Sequence, residues 1–257
     1  MGSKARVAKY IVPIIQKCIN DNGIESYIEP FVGGANIIDK ISCEQKIGND
    51  IRTSLVALLS YVQNGGQLPN YISYCEYSNV RSNPEAYDDW YVGCVGFLAS
   101  YNGRYFDGGY AKSGYEKTKS GERYRDYYRE SKENLLKQSQ QSSFKDIAFQ
   151  CSNYVDLFNE YRPNNSVIYC DPPYAQTKQY SNSKNFDYDK FWNIVREYSK
   201  TNYILVSELQ CPEDFVSIWQ QEVSRSIKST DKSNATEKLF VYKDGLYANR
   251  YLKYNKS

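Results

Sequence analysis

The 257-residue chain contains no histidine. That excludes a serine–histidine triad, an imidazole general base and histidine metal ligands, so no metal site is expected. Seven cysteines are scattered singly without a C-x-x-C pair, which excludes a zinc ribbon or a paired redox motif. The odd, dispersed set, with no signal peptide in view, predicts a reducing, cytoplasmic setting. No apolar run approaches the ~18 residues of a membrane span. Net charge is only +2, from 32 basic and 30 acidic side chains, so any polyanion partner must be met by local rather than global charge. Neither a Walker Gly-Lys-Ser/Thr loop nor a G-x-G-x-x-G spacing occurs, which argues against a pyrophosphate ligand.

What is present is unusual in one respect, the 27 tyrosines. Tyrosine joins a flat apolar face to a polar tip and suits wet interfaces. With 41% apolar and 24% charged residues, the chain has an ordinary globular balance and the length for one large domain carrying an insertion.

Periodicity predicts a helix from Ile11 to Ile19, with Pro13 tolerated only in its first turn, then a strand from Ser26 to Glu29. A glycine turn "VGGAN", a short helix "IIDKIS", a strand "KIGND" and an amphipathic helix "IRTSLVALLSYV" follow. This order is half of a doubly wound α/β sheet. From about residue 62 the texture changes. Helices are predicted at 67–80, 84–101 and 122–140, around a glycine-rich loop or hairpin at 102–121 that is not expected in the core. Strands return at 144–150 and before Asp171. A mobile loop at 175–187, a helix "YDKFWNIVREYS", a buried strand "NYILVSE", a short helix from "CPEDFVSIWQ" and terminal strands at 222–229 and 237–242 complete the reading. The domains are expected at 1–61, 62–141 and 142–257, the middle one an insertion into an α/β fold.

Two constellations carry chemistry. In "EPFVGG", Gly33 and Gly34 follow an apolar strand, where missing side chains allow close approach of backbone to a ligand. Glu29 ends that strand, and Asp50 ends the next, where a carboxylate can accept both hydroxyls of a ribose. In "VIYCDPPY", a strand leaves through two prolines. A planar amine conjugated to a ring is a poor nucleophile because its lone pair is delocalised. Acceptors around its N–H groups hold the nitrogen as bonding shifts it toward tetrahedral. The Asp171 carboxylate, ionised at an ordinary pKa near 4, is one acceptor, and the Pro172 carbonyl is another. Pro172 and Pro173 stiffen the turn, and Tyr174 offers a ring for stacking.

Together these motifs resemble the D12-class, Dam-like N6-adenine DNA methyltransferases, over nearly the whole chain. The resemblance implies a Rossmann-like sheet that uses S-adenosylmethionine, releases S-adenosylhomocysteine and acts on an adenine flipped from double-stranded DNA. It implies catalytic roles for Asp171, Pro172, Pro173 and Tyr174. It assigns cofactor contacts to Lys4 of "MGSK", to Glu29, Pro30, Phe31, Gly33, Gly34 and Asp50, and to Asp171. In "CSNYVDLF", Asn153 stands where that family often has an acid, and Tyr154 fits the aromatic role over the cofactor's adenine. "FDYDKFW", "VSELQCPEDF" and "EKLFVY" resemble further family segments. The insertion, mostly helical with a hairpin or loop, takes the place of the target-recognition domain. There "FLASYNGRYFDGGYAKSG" corresponds to the base-reading hairpin, with Asn102, Arg104, Tyr105 and Lys112 as DNA contacts, and Lys178 and Tyr180 are expected to cover the flipped base. Segment 112–137 holds eight Lys or Arg against five acids, a density suited to phosphates. A monomer or weak dimer in a bacterial or phage-infected cell is expected, in restriction, phage protection or housekeeping. Two other readings fit the motifs. One is N4-cytosine or RNA-adenine methylation by the same chemistry, and the other is a non-catalytic DNA-binding module.

Overall fold

The computed structural model describes residues 4–118, 121–173, 186–223 and 235–252. A turn of 3-10 helix at Lys4–Arg6 leads into α1 (Ala8–Asn22), β1 (Ser26–Glu29), β2 (Gln45–Asp50) and α2 (Thr53–Gln63). Then come α3 (Tyr74–Ser82), α4 (Asp89–Gly93), β3 (Gly114–Thr118), β4 (Gly121–Arg125), α5 (Tyr127–Ser139) and α6 (Ser142–Lys145). The chain continues through β5 (Ile147–Cys151), α7 (Tyr154–Tyr161), β6 (Val167–Cys170), α8 (Tyr188–Tyr198), β7 (Tyr203–Glu208), β8 (Phe215–Val223), β9 (Ala235–Tyr242) and α9 (Leu246–Tyr251).

Seven strands form one sheet in the order β5-β2-β1-β6-β7-β9-β8, and β3-β4 pair separately. The five strands from β5 to β7 are parallel, and β9 runs antiparallel between β7 and β8. Strand alternation divides the core into two faces. Tyr27, Val167, Tyr169 and Leu205 join a core with α1 and α2, whereas Ile28, Ile168, Cys170 and Val206 join one with α7 and α8. A central strand covered on both faces must be apolar throughout, and every residue of β7 is buried.

Several sequence expectations are corrected. Pro13 lies inside α1, beyond its first turn. It is exposed, so the Lys9 carbonyl it leaves without a helical donor faces water. The helix expected at 67–80 begins only at Tyr74, because Ser73 and Glu76 form a capping box there. The helix expected at 84–101 is one 3-10 turn, then α4 and a π-helical turn at Cys94–Leu98. Segment 122–140 is strand β4 up to Arg125, after which the Asp126 side chain caps α5. "CPEDFVSIWQ" forms no helix, because Phe215 to Val223 pair with β9 as β8. The expected strand 222–229 therefore starts earlier, and residues 224–229 lie outside the described ones.

The hairpin is also displaced. Residues 97–114 make a compact loop with an isolated bridge between Ser100 and Tyr110, and the two-stranded ribbon follows at 114–125. Phe106 and Ala111 of that loop are buried, against the expectation of no core contribution. Residues 64–146, between α2 and β5, anchor to the sheet domain where α4 crosses α2. A Cβ at Gly93 would stand 2.0 Å from the Ser54 carbonyl oxygen, so only glycine permits this approach.

Candidate active site

Strand order reverses between β1 and β6, the place where open α/β sheets bind ligands at the carboxyl ends of their strands. Glu29 is the last residue of β1, and Asp171 directly follows β6. The 3-10 turn before α1 brings Lys4 to the same point. Its Nζ lies 3.3 Å from Asp171 Oδ1 and 2.8 Å from Glu237 Oε2 on β9. Glu208, buried at the end of β7, adds to the field at Asp171.

Burial pushes the Asp171 carboxyl up to about 6; the Lys4 ammonium pulls it down, and Glu237 and Glu208 push it further up. This corrects the expected value near 4, although the group is still ionised at neutral pH. Burial pulls Lys4 down, but Asp171 and Glu237 outweigh it and hold the ammonium above its ordinary value. Glu29 is driven well above the usual carboxylate range by burial, even though Tyr27 donates a 2.7 Å hydrogen bond to its Oε1. A buried acid, an ion pair and a second acid thus share the mouth of the sheet.

The glycine turn after β1 is stitched to β2. The Val32 N–H donates to the Asn49 carbonyl at 2.7 Å, and the Gly33 N–H to Asp50 Oδ2 at 3.2 Å. Asp50 Oδ1 accepts from the Arg52 N–H at 3.1 Å, so this carboxylate braces both the turn and the start of α2. Gly33 has φ +52°, and a Cβ at Gly34 would meet Asn36 Nδ2 at 2.8 Å. Asn49, fully buried, donates to the carbonyls of Pro30 and Ser152 and accepts from the Ser152 N–H and hydroxyl. It ties together the exits of β1, β2 and β5. Phe31 packs against Tyr154, Phe186 and Phe191 at centroid distances of 5.3, 5.9 and 5.8 Å. Asn153 caps α7, its side chain accepting from the Val155 N–H at 2.9 Å. The Pro173 carbonyl accepts from the Tyr188 hydroxyl at 2.7 Å, which fixes the exit of the double-proline turn against α8.

The sequence matches the family of D12 class N6 adenine-specific DNA methyltransferases over residues 1–92 and 98–248. The chain belongs to that family. This D12-class enzyme is an S-adenosylmethionine-dependent adenine-N6 DNA methyltransferase, built on the Rossmann-like sheet of such enzymes with an inserted, mostly helical segment. Among solved structures the chain is similar to the rRNA methyltransferase aviRa from Streptomyces viridochromogenes, in structures at 2.4 Å and 1.5 Å. Each is 10% identical over 93% of this chain and 85% of that one, with TM-scores of 0.44 and 0.43. No curated protein matches the sequence.

The residues fit the cofactor. A turn bare of side chains at Gly33 and Gly34, a carboxylate beside it, an aromatic cluster for a heterocycle and an acid beside the sheet's switch point match a nucleoside joined to a cationic sulfur. The structure brings together Lys4, Glu29, Pro30, Phe31, Gly33, Gly34, Asp50, Asn153, Tyr154, Asp171, Pro172 and Pro173 along the carboxyl edge of the sheet. Tyr174, Lys178 and Tyr180 lie outside the described residues, as does most of the expected loop at 175–187.

The DNA-binding candidates are less uniform. Asn102 and Lys112 are exposed. Arg104 is half-buried, and Tyr105 packs on Phe97 and Phe106 with the Arg52 guanidinium 4.5 Å from its ring centre. Tyr105 is thus partly packed within the loop and half-exposed. The basic density of 112–137 is partly neutralised. Arg125 pairs with Glu130 at 2.8 Å and Glu116 at 3.5 Å, Arg123 with Glu130 at 3.3 Å, and Lys132 donates to the Pro69 carbonyl at 3.1 Å. Sequence reasoning missed Asn49, Tyr188, Glu208 and Glu237. A signal existed for two of them, a polar Asn49 between apolar Ile47 and the acid Asp50, and a lone acid closing the apolar run of β7.

Proposed function

We propose that the enzyme methylates, at a specific site, an adenine flipped out of double-stranded DNA, with Asp171 and the Pro172 carbonyl as acceptors for its exocyclic amine. The observation that carries this reading is the place of Asp171: at the sheet's switch point, half-buried, within 3.3 Å of a lysine and beside the glycine turn. When bound, S-adenosylmethionine supplies a methyl group already activated on a sulfonium. The chain's part is to position and to polarise. Asp171 Oδ accepts one amine N–H and, as the nitrogen gains its fourth bond, takes up the released proton directly or through water. The Pro172 carbonyl, stiffened by Pro173 and the Tyr188 contact, accepts the other N–H, and Tyr174 supports the base. Lys4 keeps Asp171 ionised. Gly33, Gly34 and Asp50 hold the ribose end of the cofactor, and Phe31 and Tyr154 flank its adenine, with Asn153, Glu29 and Pro30 shaping the same wall.

The division at 1–61, 62–141 and 142–257 belongs to this proposal, with the middle segment reading DNA through Asn102, Arg104, Tyr105 and Lys112, and Lys178 and Tyr180 covering the base. Exposed Asn102 and Lys112 support it. The β3-β4 ribbon, whose cross-strand Tyr115 and Tyr124 are exposed, joins them as a surface of the right character. A monomer or weak dimer in the cytoplasm completes the reading. The unpaired cysteines suit a reducing compartment.

The test is transfer of labelled methyl to duplex DNA followed by nucleoside analysis. Label in N6-methyladenine, lost in Asp171→Ala while cofactor binding by calorimetry persists, is the expected result. Full turnover in that variant overturns the role of Asp171, and preference for single-stranded DNA or RNA overturns the substrate.

A further inference from the structure

We propose that Glu237 is a positioning residue. From β9 it anchors the Lys4 ammonium beside the Asp171 carboxylate rather than on it, so that the oxygen lone pairs of Asp171 stay open to receive an amine while Lys4 remains near enough to favour its charge. This rests on the reading of Asp171 as the amine's acceptor.

The geometry is that of a shared cation with unequal partners. Lys4 Nζ makes its short contact, 2.8 Å, to Glu237 Oε2, and the longer one, 3.3 Å, to Asp171 Oδ1. The three side chains are only 9%, 18% and 22% exposed for Lys4, Glu237 and Asp171, so their charges interact in a medium poorer in water than the surface. An ammonium is a compact charge on a flexible stem and moves to its strongest neighbour. Without the Glu237 carboxylate, that neighbour is Asp171. Lys4 then closes on the oxygen, donates a strong charge-assisted hydrogen bond to it and competes with the substrate amine for its lone pairs.

Electrostatics point the same way. Asp171 is faced by Lys4 from the N-terminal turn, by Glu29 from β1, by Tyr169 and Cys170 from the strand it follows, by Glu208 from β7 and by Glu237 from β9. Removing Glu237 takes away a negative neighbour and frees Lys4 toward Asp171, and both changes favour the ionised carboxylate. Removing Lys4 does the opposite. Loss of a residue that merely supports β9 would not move the Asp171 midpoint in the direction opposite to loss of Lys4.

The experiment uses the full chain as wild type, Glu237→Gln, Glu237→Asp, Lys4→Met and the double variant Lys4→Met/Glu237→Gln. Carbon-13 NMR of labelled aspartate, with the Asp171 resonance assigned by its loss in Asp171→Asn, reads the titration without cofactor. Single-turnover methyl transfer to duplex DNA at saturating cofactor reads the rate across pH. The Asp171 midpoint, about 6 in the wild type, is expected to fall by about half a pH unit or more in Glu237→Gln, a change of about three-fold in its protonation equilibrium. It is expected to rise in Lys4→Met. The plateau rate is expected to fall about five-fold or more in Glu237→Gln, to recover in part in Glu237→Asp, and to be insensitive to position 237 once Lys4 is gone. An unchanged or raised midpoint in Glu237→Gln overturns the proposal, and so does an equal rate loss from that change in the Lys4→Met background. If Asp171→Asn keeps its transfer rate, the acceptor reading of Asp171 fails, and with it any catalytic purpose for the arrangement, while the midpoints still report whether Glu237 holds Lys4.

Discussion

Asp171→Asn is expected to abolish methyl transfer and, in the cofactor-free state, to make the protein more stable. Asparagine has the shape of the protonated acid and cannot ionise. The native carboxyl is held at about 6 against an ordinary 3.8, chiefly by burial. Folding therefore works against its charge by roughly two pK units, about 3 kcal/mol at 1.36 kcal/mol per unit. At pH 7.5 the variant should escape this penalty, and its Tm should rise by about 5–10 °C for a domain of this size. The sign follows from linkage. A carboxyl whose folded pKa is raised binds protons more tightly in the native state, so its contribution to stability is complete below the unfolded value and is lost as pH rises through 6. The wild type accordingly gains on the variant as pH falls from 7 toward 4, and the gap closes near pH 4. Urea or thermal denaturation of both proteins across pH 4–8, without cofactor, measures the gap. A variant less stable than wild type at pH 7.5, or a gap that does not depend on pH, refutes the argument that burial destabilises this charge.

Three further outcomes are expected. The single-turnover rate should fall about ten-fold per unit below pH 6 as Asp171 protonates, and a flat profile down to pH 5 excludes an ionised Asp171 from the rate-determining step. Asn49→Leu should leave the Pro30 and Ser152 carbonyls without their amide donor and cost about 2–3 kcal/mol. Calorimetry should also show cofactor affinity weakened about ten-fold, and wild-type affinity excludes Asn49 as the brace of the cofactor loop. Gly93→Ala sets a methyl 2.0 Å from the Ser54 carbonyl oxygen and should destabilise by about 1–3 kcal/mol or more through overpacking. An unshifted urea midpoint shows that α4 moves away from α2 without strain.

Much of the frame was legible because it is local. The apolar run of β6 ahead of Asp171-Pro172-Pro173, the glycine pair after β1 and the periodicity of α2 each lie within a dozen residues, and backbone preference acts at that range. The failures have physical causes too. "CPEDFVSIWQ" carries the proline and acids of a helix start, yet its alternating face pairs with β9, and tertiary pairing outweighs a weak local preference. The reading loop was placed at its glycines, but Gly103 and Gly109 at φ +64° and +70° fold it into a compact turn, and the alternating residues after it make the ribbon.

By itself, then, the sequence determined the chemistry available: a histidine-free set of carboxylates, glycines and aromatics with a proline-stiffened acid, and an order of elements that yields a doubly wound sheet. Only the tertiary structure decided who neighbours whom. Lys4, Asp171 and Glu237 come from the first turn, the middle and the last strand of the chain, and they meet because β9 inserts beside β7 while α1 delivers the N-terminus to the sheet's carboxyl edge. The acidity of Asp171 follows from that meeting. Burial and neighbouring charge set a pKa, and both are properties of the folded assembly rather than of any stretch of chain.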